Sequence, residues 1–338
     1  MGQGNALGSL SLLADRWKCD RSGPSLLSNW PNPCLTFPKL SAKTKTGTAL
    51  ARKTAAAGAG GLGTYRNLME WWLIAVFIAA GAMAGTLAGL MGLGGGILYV
   101  PVLVYSLEGR VSPSELPLVA VSTSLLVISF SILSSALTHW QKGNLDLSPL
   151  LPLVVGGAVG ALLASLGLAG LPTKPFKILL GLFELFVAAQ LIHTSKKAEP
   201  PEHNAGFWVY GLIGFCGGGV SAFFGVGGGL VVMPLMHFLA GYKIAKAVGT
   251  ASVFMIFATL LGLGFHSFQP ITHSDLPGIW HNFYLPGFFA LLPTAFVFNR
   301  VGALWAAKIN PAMLKRALGL VILPLGLVNL INGLVALL

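Results

Sequence analysis

The stretch MGLGGGILYVP at residues 91–101 returns as FGVGGGLVVMP at residues 224–234. Three consecutive glycines weaken a helix, because each is about 1 kcal/mol less favourable than alanine in a helix interior. The proline five residues after each triplet, Pro101 and Pro234, adds a second break. The first copy lies in a run from Trp71 to Leu107 with no charged residue in 37 positions. As one helix at about 1.5 Å per residue, that run would be nearly twice as long as the roughly 30 Å hydrocarbon core of a bilayer. Gly94, Gly95 and Gly96, with Gly92 before them, therefore divide it into a helix over about 70–91 and a short one over about 97–107.

Composition places the chain in a membrane. Of 338 residues, 54% are hydrophobic and 9% charged, against about a quarter charged in a soluble domain, and the mean hydropathy is +0.77. The net charge of +11 is not a nucleic-acid signature, because nine of the 21 Lys and Arg fall in residues 1–68 against only Asp15 and Asp20. Cys19, Cys34 and Cys216 have neither paired spacing nor an accompanying histidine cluster, so no disulfide framework, metal site or cofactor is expected. Cys216 reads as a small buried packing residue.

Beyond the first glycine run, apolar segments follow at 116–138, 148–169 and 175–193, then a basic, proline-containing linker at 194–206. The same order recurs: 207–224, the triplet Gly227, Gly228 and Gly229, a short segment at 230–240, then 246–266, 283–300 and 314–336. Residues match as well as hydropathy. Ala120-Val121-Ser122-Thr123 pairs with Ala247-Val248-Gly249-Thr250, His139 with His266, and Phe176-Lys177 through Gly181 with Leu314-Lys315 through Gly319. The reading is an all-α, polytopic transmembrane protein of two homologous repeats, 69–193 and 207–338. Five segments per half is an odd number, so the second half enters the bilayer facing the other way; re-entrant hairpins would leave that parity unchanged. Lys142, Lys196, Lys197, Lys243, Lys246, Arg300, Lys308, Lys315 and Arg316 gather on one side, and Arg110, Lys174 and Lys177 on the other. The positive-inside rule makes the first side cytoplasmic.

Residues 1–68 show no sustained period and read as a disordered tail. A targeting segment and a regulatory tail fit that composition. The opening of the apolar pattern at Met69-Glu70-Trp71-Trp72 favours an upstream extension that is not part of the native protein.

The glycines also suggest chemistry. A broken helix bares backbone N–H groups at the start of its second half, and lipid cannot satisfy them, so the break must face protein or a water-filled cavity. Aligned N–H donors at a helix N-terminus form an anion site that needs no cationic side chain. In transporters built from inverted repeats such interrupted helices meet near the midplane and hold the substrate. Gly94, Gly95, Gly96, Gly227, Gly228 and Gly229 are accordingly the candidate substrate-binding residues, flanked by the repeat-equivalent hydroxyls of Thr123 and Thr250. The competing reading is close helix packing by small residues, which suits the four-spaced Gly81, Gly85 and Gly89 better than the triplets. No flanking strand or Gly-Lys-Ser/Thr supports a nucleotide loop.

Glu184 lies among apolar residues near the middle of its segment, with Ile322 or Leu323 at the matching place in the second half. An ionisable group at that depth is costly. It is a candidate for proton coupling, or else a hydrogen-bonded stabiliser of helix contacts. His139 and His266 read as structural residues at helix ends, Asp146 and Asp275 as loop or cap residues, and His237 as a weaker site candidate. Asn299 with Arg300, and Gln190 with Asn329, could line a cavity. No Ser-His-Asp, Cys-His or paired-carboxylate arrangement is present, so the chain does not read as an enzyme.

The doubled G-x-G-G-G-x-x-x-x-P pattern, the Ala-Val-Ser-Thr and Ala-Val-Gly-Thr stretches, and His139-Trp-Gln-Lys-Gly-Asn-Leu-Asp146 resemble the sulfite exporter TauE/SafE family of membrane permeases over about residues 69–338. The resemblance implies a multi-pass protein of a bacterial inner membrane that moves small anions, notably sulfite and organosulfonates, as a secondary transporter. Ser122 departs from the pattern, where the second copy has Gly249. The alternatives are an anion channel with the same helix ends and an intramembrane enzyme or assembly factor using His139, His266 and Glu184.

Overall fold

The computed structural model describes residues 71–90, 94–193, 205–269, 278–305 and 311–336. The tail at 1–68, all but the last two residues of the linker at 194–206, Asp275, and Gly92 lie outside the described residues. Among the described residues there are ten helices and one small hairpin: α1 (Trp71–Leu90), α2 (Gly96–Leu107), α3 (Leu116–Gln141), α4 (Leu150–Leu168), α5 (Thr173–His193), α6 (Phe207–Phe224), α7 (Gly229–Ala240), α8 (Ile244–Ser267), β1 (Ile279–Trp280), β2 (Phe283–Tyr284), α9 (Leu285–Trp305) and α10 (Pro311–Val335). Eight of them are long and apolar enough to cross a membrane, and α2 and α7 are the short ones. The chain is a polytopic helical membrane protein. One expected segment is corrected. Phe283 and Tyr284 do not open a helix; they pair antiparallel with Trp280 and Ile279 around His281, whose φ is 52°. α9 starts after them, with Pro286 in its first turn, where a missing N–H costs no helical bond. Cys216 is half-buried rather than buried.

Glycines at the helix seams show the helix directions, because each of these seam glycines lies against a neighbouring helix. A methyl added to Gly85 would lie 2.9 Å from the Ala295 Cα, and one on Gly89 would collide with the Asn299 carbonyl, so α1 and α9 run parallel. Gly214 meets Leu153 and Gly218 meets Gly157 in the same way, so α4 and α6 are parallel. α5 and α10 are antiparallel: Gly181 faces Gly326 and Leu330, whereas Gly319 faces Ala188 and Ile192. α3 and α8 are also antiparallel, with Ser122 beside His266 and Leu125 beside Gly262. Antiparallel pairing of corresponding helices is the relation that two inverted halves require.

The short helices turn back. Tyr284 packs tilted against Phe77 in the first half of α1, with centroids 6.1 Å apart, and shares the Gly287 contact with Leu103 in the second half of α2. The start of α6 and the second residue after α7 are likewise neighbours, the rings of Tyr210 and Tyr242 lying 6.3 Å apart. Each glycine turn is thus the inner bend of a re-entrant hairpin, and the two hairpins open at opposite ends of the molecule. Lys142 donates to the Ala303 carbonyl at one end, and Lys177 pairs with Glu108 at the other, 2.6 Å apart. This division follows the two sets of basic residues. Lys196, Lys197 and Lys308 lie outside the described residues.

The loops are anchored by the paired threonines. The Thr250 hydroxyl donates to the Asp146 carbonyl at 3.1 Å and accepts the Asp146 N–H at 3.2 Å, which fixes the segment leading into α4. The Thr123 hydroxyl donates to the Val119 carbonyl at 2.7 Å and accepts the Tyr284 N–H at 2.9 Å, which fixes the segment leading into α9. Each half therefore holds a loop of the other. Gly249 is required where it stands, since a methyl there would collide with the Asn144 carbonyl. No such approach occurs at Ser122, whose hydroxyl instead lies 3.0 Å from the His266 Nδ1. The Asp146 carboxylate closes the loop by accepting from Ser148 and, at 2.8 Å, from the Tyr242 hydroxyl. Burial pushes this carboxyl up, but the bonds from Ser148 and Tyr242 and the charge of Lys246 outweigh it, so it lies below its ordinary value of 3.8.

Two outcomes follow from this packing. Gly218→Leu would drive a side chain into the Gly157 backbone and should lower stability by about 1–3 kcal/mol or prevent accumulation, whereas Gly264→Ala, with open space around it, should match or exceed the parent in a detergent melting assay. Asp146→Asn should melt lower than the parent at neutral pH. The carboxylate contribution is fully present above 3.8 and lost as pH falls through the depressed value, so the difference between the two should shrink toward zero in strong acid.

Candidate functional site

The two glycine turns have the same conformation. Gly94 and Gly95 have φ of 83° and 74°, and Gly227 and Gly228 have 80° and 79°. Two successive left-handed residues are open only to glycine without strain. The second of each pair is the N-cap of a short helix, and neither cap has a side-chain hydrogen bond. Bonding resumes identically, from Leu98 and Tyr99 to the Gly95 carbonyl at 3.1 and 3.3 Å, and from Val231 and Val232 to the Gly228 carbonyl at 3.1 and 3.0 Å. Helix geometry leaves the first-turn amides of Gly96 and Ile97, and of Gly229 and Leu230, without intrahelical acceptors. Together with the positive ends of two helix dipoles they form two compact patches of positive potential, free of any cationic side chain.

The structure brings these two patches together. A methyl on Gly96 would collide with the Gly225 carbonyl and come within 2.6 Å of the Val226 Cα. Between the turns lie Ile128 of α3 and Met255 of α8, which hold equivalent positions in the two repeats. The Met255 methyl would collide with a Cβ on Gly94 and come within 2.8 Å of one on Gly227, and the Ile128 Cγ2 would lie 3.4 and 3.2 Å from the same two positions. Of the expected binding residues, Gly94 and Gly227 thus lie against both Met255 and Ile128 and Gly96 against Ile128 and Gly225, whereas Gly95 faces Tyr99 and Ala84, Gly228 lies against the Gly217 backbone, and Gly229 is buried at the start of α7. Close packing explains the absence of side chains here as directly as ligand access does, and both constraints act on the same atoms.

The other candidates are distributed around this centre. Thr123 and Thr250 are fully buried, but their hydroxyls already serve the loops that lead into α9 and α4. They position the loops and offer no free donor. Ser124 donates to the Gly225 carbonyl at 2.7 Å and so ties α3 to the second turn. His237 is held by the Tyr242 carbonyl, 2.7 Å from its Nδ1. Asn299 donates to the Ser131 carbonyl at 2.9 Å, bracing α9 against α3. Glu184 is fully buried between α5 and α10 and accepts from Asn329 at 2.7 Å. His266 is fully buried near the end of α8, with Ser122 at its Nδ1 and no hydrogen-bond partner at Nε2.

One residue at the first turn escaped the sequence reading. Tyr99 is completely buried, and its hydroxyl has no partner. A Cβ on Gly95 would lie 2.9 Å from that oxygen, so the hydroxyl stands over the turn. Its signal in sequence was a lone phenol four residues after Gly95, one helical turn on, where the second copy has Val232. Among the described residues no group of three or more His, Cys, Asp or Glu is arranged to hold a metal.

Comparison with known proteins gives one consistent answer. A probable membrane transporter protein of Haemophilus influenzae is 27% identical over 255 residues, covering 73% of this chain and 94% of that protein. A probable membrane transporter protein of Bacillus subtilis is 29% identical over 205 residues, covering 54% of this chain and 73% of that protein. A third, from Methanocaldococcus jannaschii, is 28% identical over 195 residues, or 56% of this chain and 70% of that protein. No solved structure matches. The sulfite exporter TauE/SafE family matches residues 76–328, a span that contains both glycine turns and the helices packed around them, and the chain belongs to that family.

Proposed function

We propose that this multi-pass membrane transporter is a secondary carrier of small oxyanions, sulfite and organosulfonates foremost, in a bacterial inner membrane. The observation that carries the reading is the meeting of two uncapped helix N-termini across the flexible side chain of Met255. A tetrahedral or pyramidal oxyanion matches converging N–H donors, since its oxygens accept several hydrogen bonds at once and its charge is favoured at the positive ends of both dipoles. The Tyr99 hydroxyl supplies one further donor. Met255 occupies the space between the turns in the state described, and a swing of its unbranched side chain would open that space to a ligand.

Alternating access then follows from the two hairpins opening to opposite faces. The Thr123–Tyr284 contact anchors a loop at one end and the Thr250–Asp146 contact anchors its counterpart at the other. Rocking one half against the other, with one anchor holding while the other yields, would expose the anion site to each face in turn. Thr123 and Thr250 act in this scheme by setting the loops. Glu184 is the group that would couple the movement to protons. The chemistry is translocation, with no covalent step and no enzyme activity.

Ligand binding to the native state raises its melting temperature, by about 2.7 kcal/mol of added stability at a hundredfold excess over Kd. A melting screen of the purified protein should therefore show a concentration-dependent rise with sulfite or a sulfonate and little with neutral taurine analogues; flat curves for every anion would overturn the reading. In proteoliposomes, labelled sulfite should accumulate by counter-flow. Tyr99→Phe should weaken apparent sulfite affinity about three- to tenfold, the worth of one hydrogen bond. Met255→Phe, filling the gap with a stiffer group, should abolish exchange while far-ultraviolet circular dichroism stays unchanged.

A further inference from the structure

A line of polar side chains runs from the buried Glu184 to one surface of the protein, and the anion site makes no use of it. Asn329 of α10 donates from Nδ2 to the Glu184 Oε2 at 2.7 Å, and the Tyr105 hydroxyl of α2 donates to the Asn329 Oδ1 at 2.8 Å. The exposed Asn332 donates to the Tyr105 oxygen at 3.3 Å. Beside Tyr105, Lys177 sits 4.5 Å from the ring centroid and binds both oxygens of Glu108, at 2.6 and 2.7 Å. Glu184 and Asn329 are fully buried, Lys177 is nearly so, and the side chain of Glu108 is 50% exposed. Glu184 keeps one oxygen, Oε1, without any hydrogen-bond partner.

The repeat supplies an independent observation. Matching the two glycine runs places Phe238 opposite Tyr105, and matching Lys177 with Lys315 places Ile322 opposite Glu184 and Leu191 opposite Asn329. The three positions that form the polar line in one orientation are all apolar in the other. A contact needed only to join α5 to α10 would serve both halves equally, as the glycines of those helices do. This one serves a single face.

We propose that Glu184 is a proton-binding site with one-sided access, reached through Tyr105 and Asn329 from the face that carries Glu108 and Lys177, the outer one by the positive-inside rule. The assignment rests on the transport reading for what the proton is coupled to, and on the geometry alone for the site. A hydronium ion arriving in water past Tyr105 protonates the carboxylate at the free Oε1 and leaves as water, and the reverse transfer returns the proton to the same face. Tyr105 and Asn329 are positioning residues: Asn329 orients the carboxyl through Oε2, and Tyr105 holds Asn329 and stands at the mouth. The groups facing Glu184 are few. Tyr105 comes from α2, Lys177 from α5 itself toward the surface with Glu108 beyond it, and Asn329 from α10. α6 carries no charged residue, and the titratable group of α3, His139, is at its far end. Lys177 and Glu108, neutralising each other, keep the mouth polar without placing a net charge beside the acid.

The test is infrared difference spectroscopy of the full chain in vesicles, between acid and neutral buffer, with sulfite counter-flow measured on the same preparations. A protonated-carboxyl C=O band should be present in the parent and absent in Glu184→Gln. In Tyr105→Phe, which keeps the ring and its packing, the band should remain but respond to an external pH jump about tenfold more slowly. A band that persists in Glu184→Gln, or a response in Tyr105→Phe as fast as in the parent, overturns the proton site. A parent with the band but no counter-flow overturns the anion carrier and leaves the proton site standing, so the two failures are distinguishable.

Discussion

The fold depends on one constraint: inside a bilayer no backbone amide can be left to lipid. Every helix leaves its first-turn amides without internal partners, and those of α2 and α7 lie at the two buried glycine turns, where they must face protein. The molecule meets this by bringing the turns against each other, Gly96 to Gly225 and Val226, under Ile128 and Met255. Once those turns are central, α3 and α8 must flank them, because they carry Ile128 and Met255. The parallel pairs α1 with α9 and α4 with α6 then close around the outside, through backbones that only glycine allows so near. The hairpin openings, the basic face and the loops held by Thr123 and Thr250 are consequences of that placement.

Most of this architecture was legible from the chain. Glycine triplets in charge-free runs forced two breaks, and the resulting boundaries for α2 and α7 fall within a residue of those found, since helix propensity drops sharply at Gly94 to Gly96 and Gly227 to Gly229. The long helices were legible because a bilayer imposes both their length and their composition. The hairpin at Ile279–Tyr284 was not, because Phe283 and Tyr284 are as apolar as the helix that follows, and only the partner strand and the turn at His281 separate them. Parity left open whether the short helices cross or return, and contacts such as Phe77 with Tyr284 decide for return.

The site was less legible, for a physical reason. Periodicity reports which residues are equivalent, not what they touch. Thr123 and Thr250 stood out as an equivalent pair, but each hydroxyl bonds a segment of the opposite half, which sequence spacing cannot reveal. Met255 and Ile128 are unremarkable apolar residues until both are seen between the same two glycines. Ser122 looked like a disturbance of the Val-Gly-Thr pattern. The structure gives the reason: Gly249 is demanded by the Asn144 carbonyl, while the Ser122 hydroxyl bonds with His266.

The two halves thus match where they must and differ where chemistry can be added. Backbone proximity is symmetric, because the turn conformation and the paired helix seams cannot tolerate a side chain in either repeat. Some polar groups are asymmetric: Tyr99 corresponds to Val232 in the other repeat, Ser124 to Ala251, and Glu184 to Ile322. A carrier with two fully equivalent halves would have inward-open and outward-open states of equal energy, so nothing in the protein would favour one face. Under the proposed carrier mechanism, a buried acid, an unpartnered phenol and a serine at positions that are apolar in the other repeat would make the two states chemically different. An inverted repeat can in this way keep the symmetry that lets it rock and still distinguish its two sides.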